Sequence, residues 1–187
     1  MHRMIYGYVV LACLLVSNVA SAHAGHERYY EFDGTHFALS IERFMGLDYY
    51  KYEGANEGHV AGRLLLNASE PVPTSLARFG FDVFLHRFSL GIAGGVTTSD
   101  VAVLAPRVGY IFGLTPQLGL WLRAGGFYAK WGAAEYVGLT AEAILGWFPY
   151  PNIAITFGPT FDAAFANSGH PDYIAIGIPQ FGLTAFL

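Results

Sequence analysis

The sequence predicts an all-β protein, a transmembrane antiparallel up-and-down β-barrel of eight strands. The first observation behind this is strict alternation over long segments, clearest in 101–131, VAVLAPRVGYIFGLTPQLGLWLRAGGFYAKW. There Leu104, Pro106, Val108, Tyr110, Phe112 and Leu114 share one parity, opposite Val103, Ala105, Arg107, Gly109 and Gly113. After a polar turn, Leu118, Leu120, Leu122, Ala124 and Tyr128 oppose Gly119, Trp121, Arg123, Gly125 and Phe127. Period two marks a strand, and runs of about 10 residues suit a tilted bilayer crossing. The second observation is composition: 53% of the 187 residues are hydrophobic and only 13% charged, against about 25% charged in soluble domains. The third is that no run near the roughly 18 apolar residues of a membrane helix occurs past the N-terminus. A closed barrel is the other way to leave no backbone group unpaired in lipid.

The N-terminus reads as a secretory signal peptide over 1–22. Met1, His2 and Arg3 give a short basic start, Ile5 to Val16 an apolar stretch, and Ala20-Ser21-Ala22 a cleavage signal, with Ala22-His23-Ala24 as a second frame. Cys13 is followed by further apolar residues, which disfavours a lipoprotein site. Cleavage after Ala22 leaves no cysteine, so neither disulfides nor thiol chemistry are expected. It also leaves a net acidic chain, which argues against nucleic acid as a partner. Residues 23–34 read as an N-terminal periplasmic segment before a barrel over 35–187.

The strands follow in order. Phe37, Leu39 and Ile41 oppose Ala38, Ser40 and Glu42 in a first strand from Thr35 to Leu47. Phe79, Phe81, Val83 and Leu85 face out, opposite Gly80, Asp82 and His86, with reversal near Arg87. Leu90, Ile92 and Val96 continue outward, and the hairpin of 101–131 supplies two more strands. Tyr136 to Phe148 presents Val137, Leu139, Ala141, Ala143, Leu145 and Trp147 outward, with Glu142 inward. Pro149 to Asn152 turns the chain into Ile153–Phe165, with Asp162 inward, and the loop from Asn167 to Asp172 leads to a last strand ending at Leu187. Bacterial single-chain barrels have even strand numbers, so the segment around His59 to Leu66 is assigned to a long first outer loop, 48–76, with a hairpin extension near Val60 to Leu66. Ten strands is the alternative.

Aromatic side chains gather at segment ends, the positions of membrane-interface girdles. Tyr49, Tyr50, Tyr52, Tyr128, Trp131, Tyr136 and Tyr173 mark the outer rim, and Phe112, Trp147, Phe148 and Tyr150 the inner one.

Glu42, Asp82, Arg107, Arg123, Glu142 and Asp162 form an inward charge network on six strands. Buried charges need partners, and an eight-stranded interior is nearly filled by side chains. Counting from the inner turns pairs Arg107 with Glu142 and Arg123 with Asp82. Ser168, His170 and Asp172 share one loop, but adjacency in sequence is not catalytic geometry, so no catalytic residue is assigned. His23 and His26 lie near Glu27 and Glu31, a weak site for Cu, Ni or Zn at most; no metal or other cofactor is expected, since a tail offers no second layer of support. Tyr49, Tyr50 and Tyr52 in the first outer loop are the candidate contact residues, because tyrosine among small polar residues makes adaptable surfaces.

Phe79-Gly80-Phe81-Asp82, Phe88-Ser89-Leu90-Gly91, Pro106-Arg107-Val108-Gly109-Tyr110, Leu118-Gly119-Leu120-Trp121 and Arg123-Ala124-Gly125-Gly126 together resemble small outer-membrane β-barrel proteins of Gram-negative bacteria, especially a poorly characterised myxobacterial-type group. The resemblance covers about Arg78 to Phe165. The end of the chain, with Gln180, Gly182, Ala185, Phe186 and Leu187, resembles the signal read by the barrel assembly machinery, departing from it in a terminal Leu where Phe is usual. The resemblance implies insertion by that machinery into the outer membrane, among outer-membrane lipids and lipopolysaccharide. It implies no particular activity.

The function expected is a filled small barrel with a structural or surface-interaction role exerted through its outer loops. A narrow channel or carrier of small apolar molecules is the first alternative, for which Pro106 and Pro159 are of interest because proline removes a ladder hydrogen bond. A lipid-modifying outer-membrane enzyme is the second. The sequence leaves the oligomeric state open.

Overall fold

The computed structural model describes residues 34–64, 72–96, 101–167 and 169–187. Among the described residues nine antiparallel strands form one sheet: β1 (Thr35–Tyr52), β2 (His59–Leu64), β3 (Arg78–Leu85), β4 (Phe88–Val96), β5 (Val101–Thr115), β6 (Leu118–Trp131), β7 (Ala134–Tyr150), β8 (Ile153–Asn167) and β9 (Tyr173–Phe186). Pairing of β1 with β9 closes the sheet, so β1 and β3 to β9 make a ring of eight up-and-down strands. No described helix is long and apolar enough to cross a membrane.

The ninth strand is an interruption of one wall strand. β3 pairs with the lower part of β1, from Thr35↔Leu85 to Glu42↔Arg78. β2 pairs with the upper part, from Met45↔Leu64 to Tyr50↔His59. The two thus lie on the same edge of β1. The first strand is therefore longer than the sequence suggests: Asp48 to Tyr52 belong to β1, not to a loop, and the hairpin extension comprises His59–Leu64. Part of the connection from β2 to β3 turns into the barrel, where Pro73–Ser75 form a 3₁₀ turn and Val72, Thr74 and Leu76 are buried.

Following paired residues once around the wall shows the tilt. From Phe37 the row runs through Val83, Leu90, Val108, Ala124, Ala141, Phe161 and Ile176 and returns to β1 at Tyr49, a stagger of 12 residues. Closing a sheet demands such a stagger together with tilted strands. Every residue of this row faces outward. Leu90, Val108 and Leu139 are among the large apolar side chains more than half exposed on this face. Charged side chains on the outward face of the described strands occur only at the upper ends, as Lys51, Lys130 and Glu135. This is an apolar band of the kind lipid covers.

The lumen is filled in layers. At the inner rim, where Thr35 and the last residues lie, Ala38, Phe84, Ile111, Trp121, Ile144, Phe148, Ala154 and Phe186 form an apolar cluster. At the outer rim Val72 and Leu76 of the inserted segment pack among Val101, Val103, Phe127, Ala129, Tyr136 and Tyr173. Buried charges occupy the level between. Three aromatics assigned to the girdles, Tyr136, Phe148 and Tyr173, instead point inward and are buried, because they carry the lumen parity of their strands. Tyr49, Tyr128, Trp131, Phe112, Trp147 and Tyr150 are exposed at the rims.

Candidate functional site

The middle layer is built on two neighbouring inward rows. One runs Ala38, Asp82, Gly91, Arg107, Gly125, Thr140, Asp162, Ala175 and Tyr50. The other includes Gly109, Arg123, Glu142, Thr160, Gly177 and Asp48. Glycines alternate with the charged residues for a steric reason. A Cβ at Gly91 would collide with the Asp82 carboxylate, so its absence lets Arg107 reach across β4 to Asp82. Across the β5–β6 pair each arginine faces a glycine, Arg107 opposite Gly125 and Arg123 opposite Gly109.

The guanidinium of Arg107 donates to both Glu42 oxygens, at 2.6 and 2.7 Å, and to both oxygens of Asp82. Arg123 donates to Glu42 Oε1 at 2.7 Å and pairs with Glu142. The geometry is therefore Arg107 with Asp82 and Arg123 with Glu142, with Glu42 bridging the two arginines. This reverses the pairing expected from heights alone. Strand tilt explains the difference: Arg123 and Glu142 are direct cross-strand partners, and Asp82 lies in Arg107's own row. All six residues named from the sequence are buried and belong to this layer.

Two further arginines join them. Arg43 donates to Glu142 Oε1 at 2.7 Å, to Asp162 Oδ2 at 2.6 Å and to the Thr74 carbonyl at 2.8 Å. Arg78 donates to the same carbonyl at 2.9 Å. Alternation would place Arg43 on the outward face with Ile41 and Met45. A bulge prevents this: β1 and β9 shift register between Ile41 and Met45, and Arg43 adopts a φ of +53°, so Glu42 and Arg43 both turn inward. The signal was present in the sequence, since a charge with lipid-facing parity inside a barrel strand is expensive. With Arg43 and Arg78 included, four carboxylates face four guanidiniums.

The charge layer is sealed on both sides. Trp121 lies beneath it, its ring 4.5 Å from the Arg123 guanidinium and its indole N–H donating to Ser89 Oγ at 3.0 Å. Thr74 caps it from above, with its carbonyl held by Arg43 and Arg78 and its hydroxyl accepting from Tyr173 at 3.1 Å. A void of about 10 Å³ remains beside Glu42, Arg43, Arg123 and Glu142, room for about one water molecule.

Other candidate residues take different places. Tyr49 faces outward, whereas Tyr50 and Tyr52 carry the inward parity of β1's even positions: Tyr50 stacks on His59 and Tyr52 packs edge-on to Tyr173. The three tyrosines therefore do not form one contact surface. Asp172 accepts the Ala166 N–H at 2.7 Å and ties down the β8–β9 connection; His170 is exposed, and Ser168 lies outside the described residues. No group of metal-ligating residues occurs among those described, and His23, His26, Glu27 and Glu31 lie outside them, as do residues 1–22, where a signal peptide is expected, and residues 23–33. Of the C-terminal set, Gln180 donates to Asp48 at 2.9 Å inside the barrel, Phe186 joins the inner apolar cluster, and the Leu187 N–H donates to the Phe37 carbonyl. Gly182 and Ala185 sit in β9, where Ala185 pairs with Leu39 and Ile153. Pro106 lies within regular pairing to β4, and Pro159 sits where β8 and β9 shift register.

No protein-family model and no curated protein matches the sequence. Among solved structures the chain is similar to the N-terminal β-barrel domain of Pseudomonas aeruginosa OprF, at 11% identity over 81% of this chain and 97% of that one, with a TM-score of 0.47. It is similar to Ail, the attachment invasion locus protein of Yersinia pestis, at 11% identity over 82% and 99%, TM-score 0.47. A third is the outer membrane protein OprG from Pseudomonas aeruginosa, at 9% identity over 86% and 99%, TM-score 0.41. These are likenesses of fold.

Proposed function

We propose that the chain is an integral outer-membrane protein whose lumen is closed and whose role, structural or in surface interaction, is exerted at its outer rim. The observation that carries this reading is the continuous chain Asp82–Arg107–Glu42–Arg123–Glu142–Arg43–Asp162 across the lumen, lying between two apolar layers. An aqueous path would have to break paired, buried charges, which is strongly unfavourable. The apolar outward band supports the membrane location, and membrane lipids and the assembly machinery are the partners that go with it. Surface contact then falls to the turn after β1, Glu53 to Gly58, and to the exposed rim rather than to the three tyrosines as a set.

Planar-bilayer recordings of the refolded protein test this reading. Conductance at baseline is the expected result; large, stable openings would overturn it. A narrow channel would have to pass this charge layer, where the void beside Glu142 measures about 10 Å³.

A further inference from the structure

The outward face of the barrel carries a hollow near its outer rim. At the outer rim, where β8, β9 and β1 run side by side, a cleft of about 480 Å³ opens on the wall, within the roughly 300–1,000 Å³ typical of small-molecule sites. Its floor is one cross-strand row, Ala163, Ile174 and Lys51. Phe165 stands on one side and the turn Glu53-Gly54-Ala55 overhangs the other. Local sequence makes the hollow: Ala163 leaves the floor low, and Gly54, at a φ of +79°, lets the chain fold back over it, fixed by the Glu53 N–H to the Asp172 carbonyl at 2.8 Å.

Three features define what fits. The lining is almost entirely apolar, so the buried part of the occupant is hydrocarbon. Phe165 and Ile174 are each about half exposed on the face that also carries the apolar band, so the cleft is continuous with the surface that acyl chains cover. Lys51 is the one cation in the lining, exposed at the end of β1, and the exposed Glu53 is the carboxylate two residues on, so the lining holds one charge for a headgroup phosphate and one for its ammonium; a lysine stem lies along apolar surface while its head stays in water. Asp172 is already engaged with Ala166.

We infer that this cleft seats one acyl chain of a membrane phospholipid, with the lipid phosphate against Lys51. The inference rests on the membrane location proposed above and goes beyond it by naming a site and a ligand class. The bound lipid would fix the β1–β2 turn against the wall and give the outer rim a defined shape.

Native mass spectrometry of the detergent-solubilised protein, titrated with dioleoylphosphatidylethanolamine or with dioleoylglycerol, tests it. The wild type should retain one phospholipid preferentially and bind the phosphate-free diacylglycerol at least about tenfold more weakly. Ala163→Trp, which fills the floor from the outward face, should abolish the retained lipid, and Lys51→Gln should weaken the phospholipid to the level of the diacylglycerol. Heat-modifiable gel mobility confirms that each variant is folded; should Ala163→Trp fail to fold, Ala163→Leu replaces it. Equal retention by the filled variant, or no preference for the phosphate-bearing lipid, overturns the inference. Loss of lipid from a non-conducting barrel removes the site alone, whereas a conducting barrel removes the reading it rests on.

Discussion

Arg107 shows what a single side chain does here. It neutralises Glu42 and Asp82 together, and both carboxylates are buried. Arg107→Ala leaves two carboxylates facing only Arg123 and Ser40, and removing one partner of a buried pair costs about 3–5 kcal/mol. The temperature at which the barrel loses its heat-modifiable mobility should fall clearly, while conductance stays near baseline because the apolar layers still close the lumen. Gly91 bears on the same group from the other side. Gly91→Val drives a side chain into the space held by Asp82, so it should destabilise by about 1–3 kcal/mol as an overpacking change, read in the same assay, whereas Gly132→Ala has open space around its Cβ and carries only the cost of its positive φ.

At the scale of elements, the strands were legible wherever alternation ran unbroken. The row Val137, Leu139, Ala141, Ala143, Leu145 and Trp147 faces outward in β7 as its parity requires, and the inward positions of Asp82, Arg107, Arg123, Glu142 and Asp162 follow from the same rule. Parity fails at the bulge in β1. Two extra residues there leave the alternation in phase on both sides, so the strand reads as regular from Phe37 to Tyr49 while Arg43 in its middle faces the lumen. Nor does alternation reveal partners across a tilted barrel, which depend on stagger; hence the exchanged arginine pairings. The inserted segment was hidden for another reason: nothing in the pattern of Val72 to Leu76 distinguishes an outer loop from a lumen plug. Replacing 65–77 by Thr-Val, two residues that favour extended backbone, joins β2 to β3 as one strand, since their partners on β1, Met45 and Glu42, leave two positions between them. The resulting barrel should fold with reduced thermal stability and expose the outer half of its lumen. Ala129→Cys, fully buried in the complete chain, should then react with a membrane-impermeant maleimide much faster than in the undeleted protein; unchanged slow labelling would show that the segment does not cover that chamber.

The whole molecule separates its two faces by chemistry: paired charge inside, uncharged hydrocarbon outside between the rims. The separation makes a depth-dependent prediction. Ala141 lies near the middle of β7 on the outward face, while Tyr150 ends the strand at the inner rim. If the band spans a bilayer, an arginine at the midplane costs about 2–4 kcal/mol and one near the interface about 0–1 kcal/mol. Ala141→Arg should therefore weaken folding into lipid vesicles by most of that range, and Tyr150→Arg should be close to neutral, as measured by urea titration of the refolded barrel. The difference isolates the role of lipid, because both positions face away from the lumen and neither touches the ion-pair chain. If the two substitutions cost the same, the band is not buried in hydrocarbon, and the membrane assignment fails while the filled barrel stands.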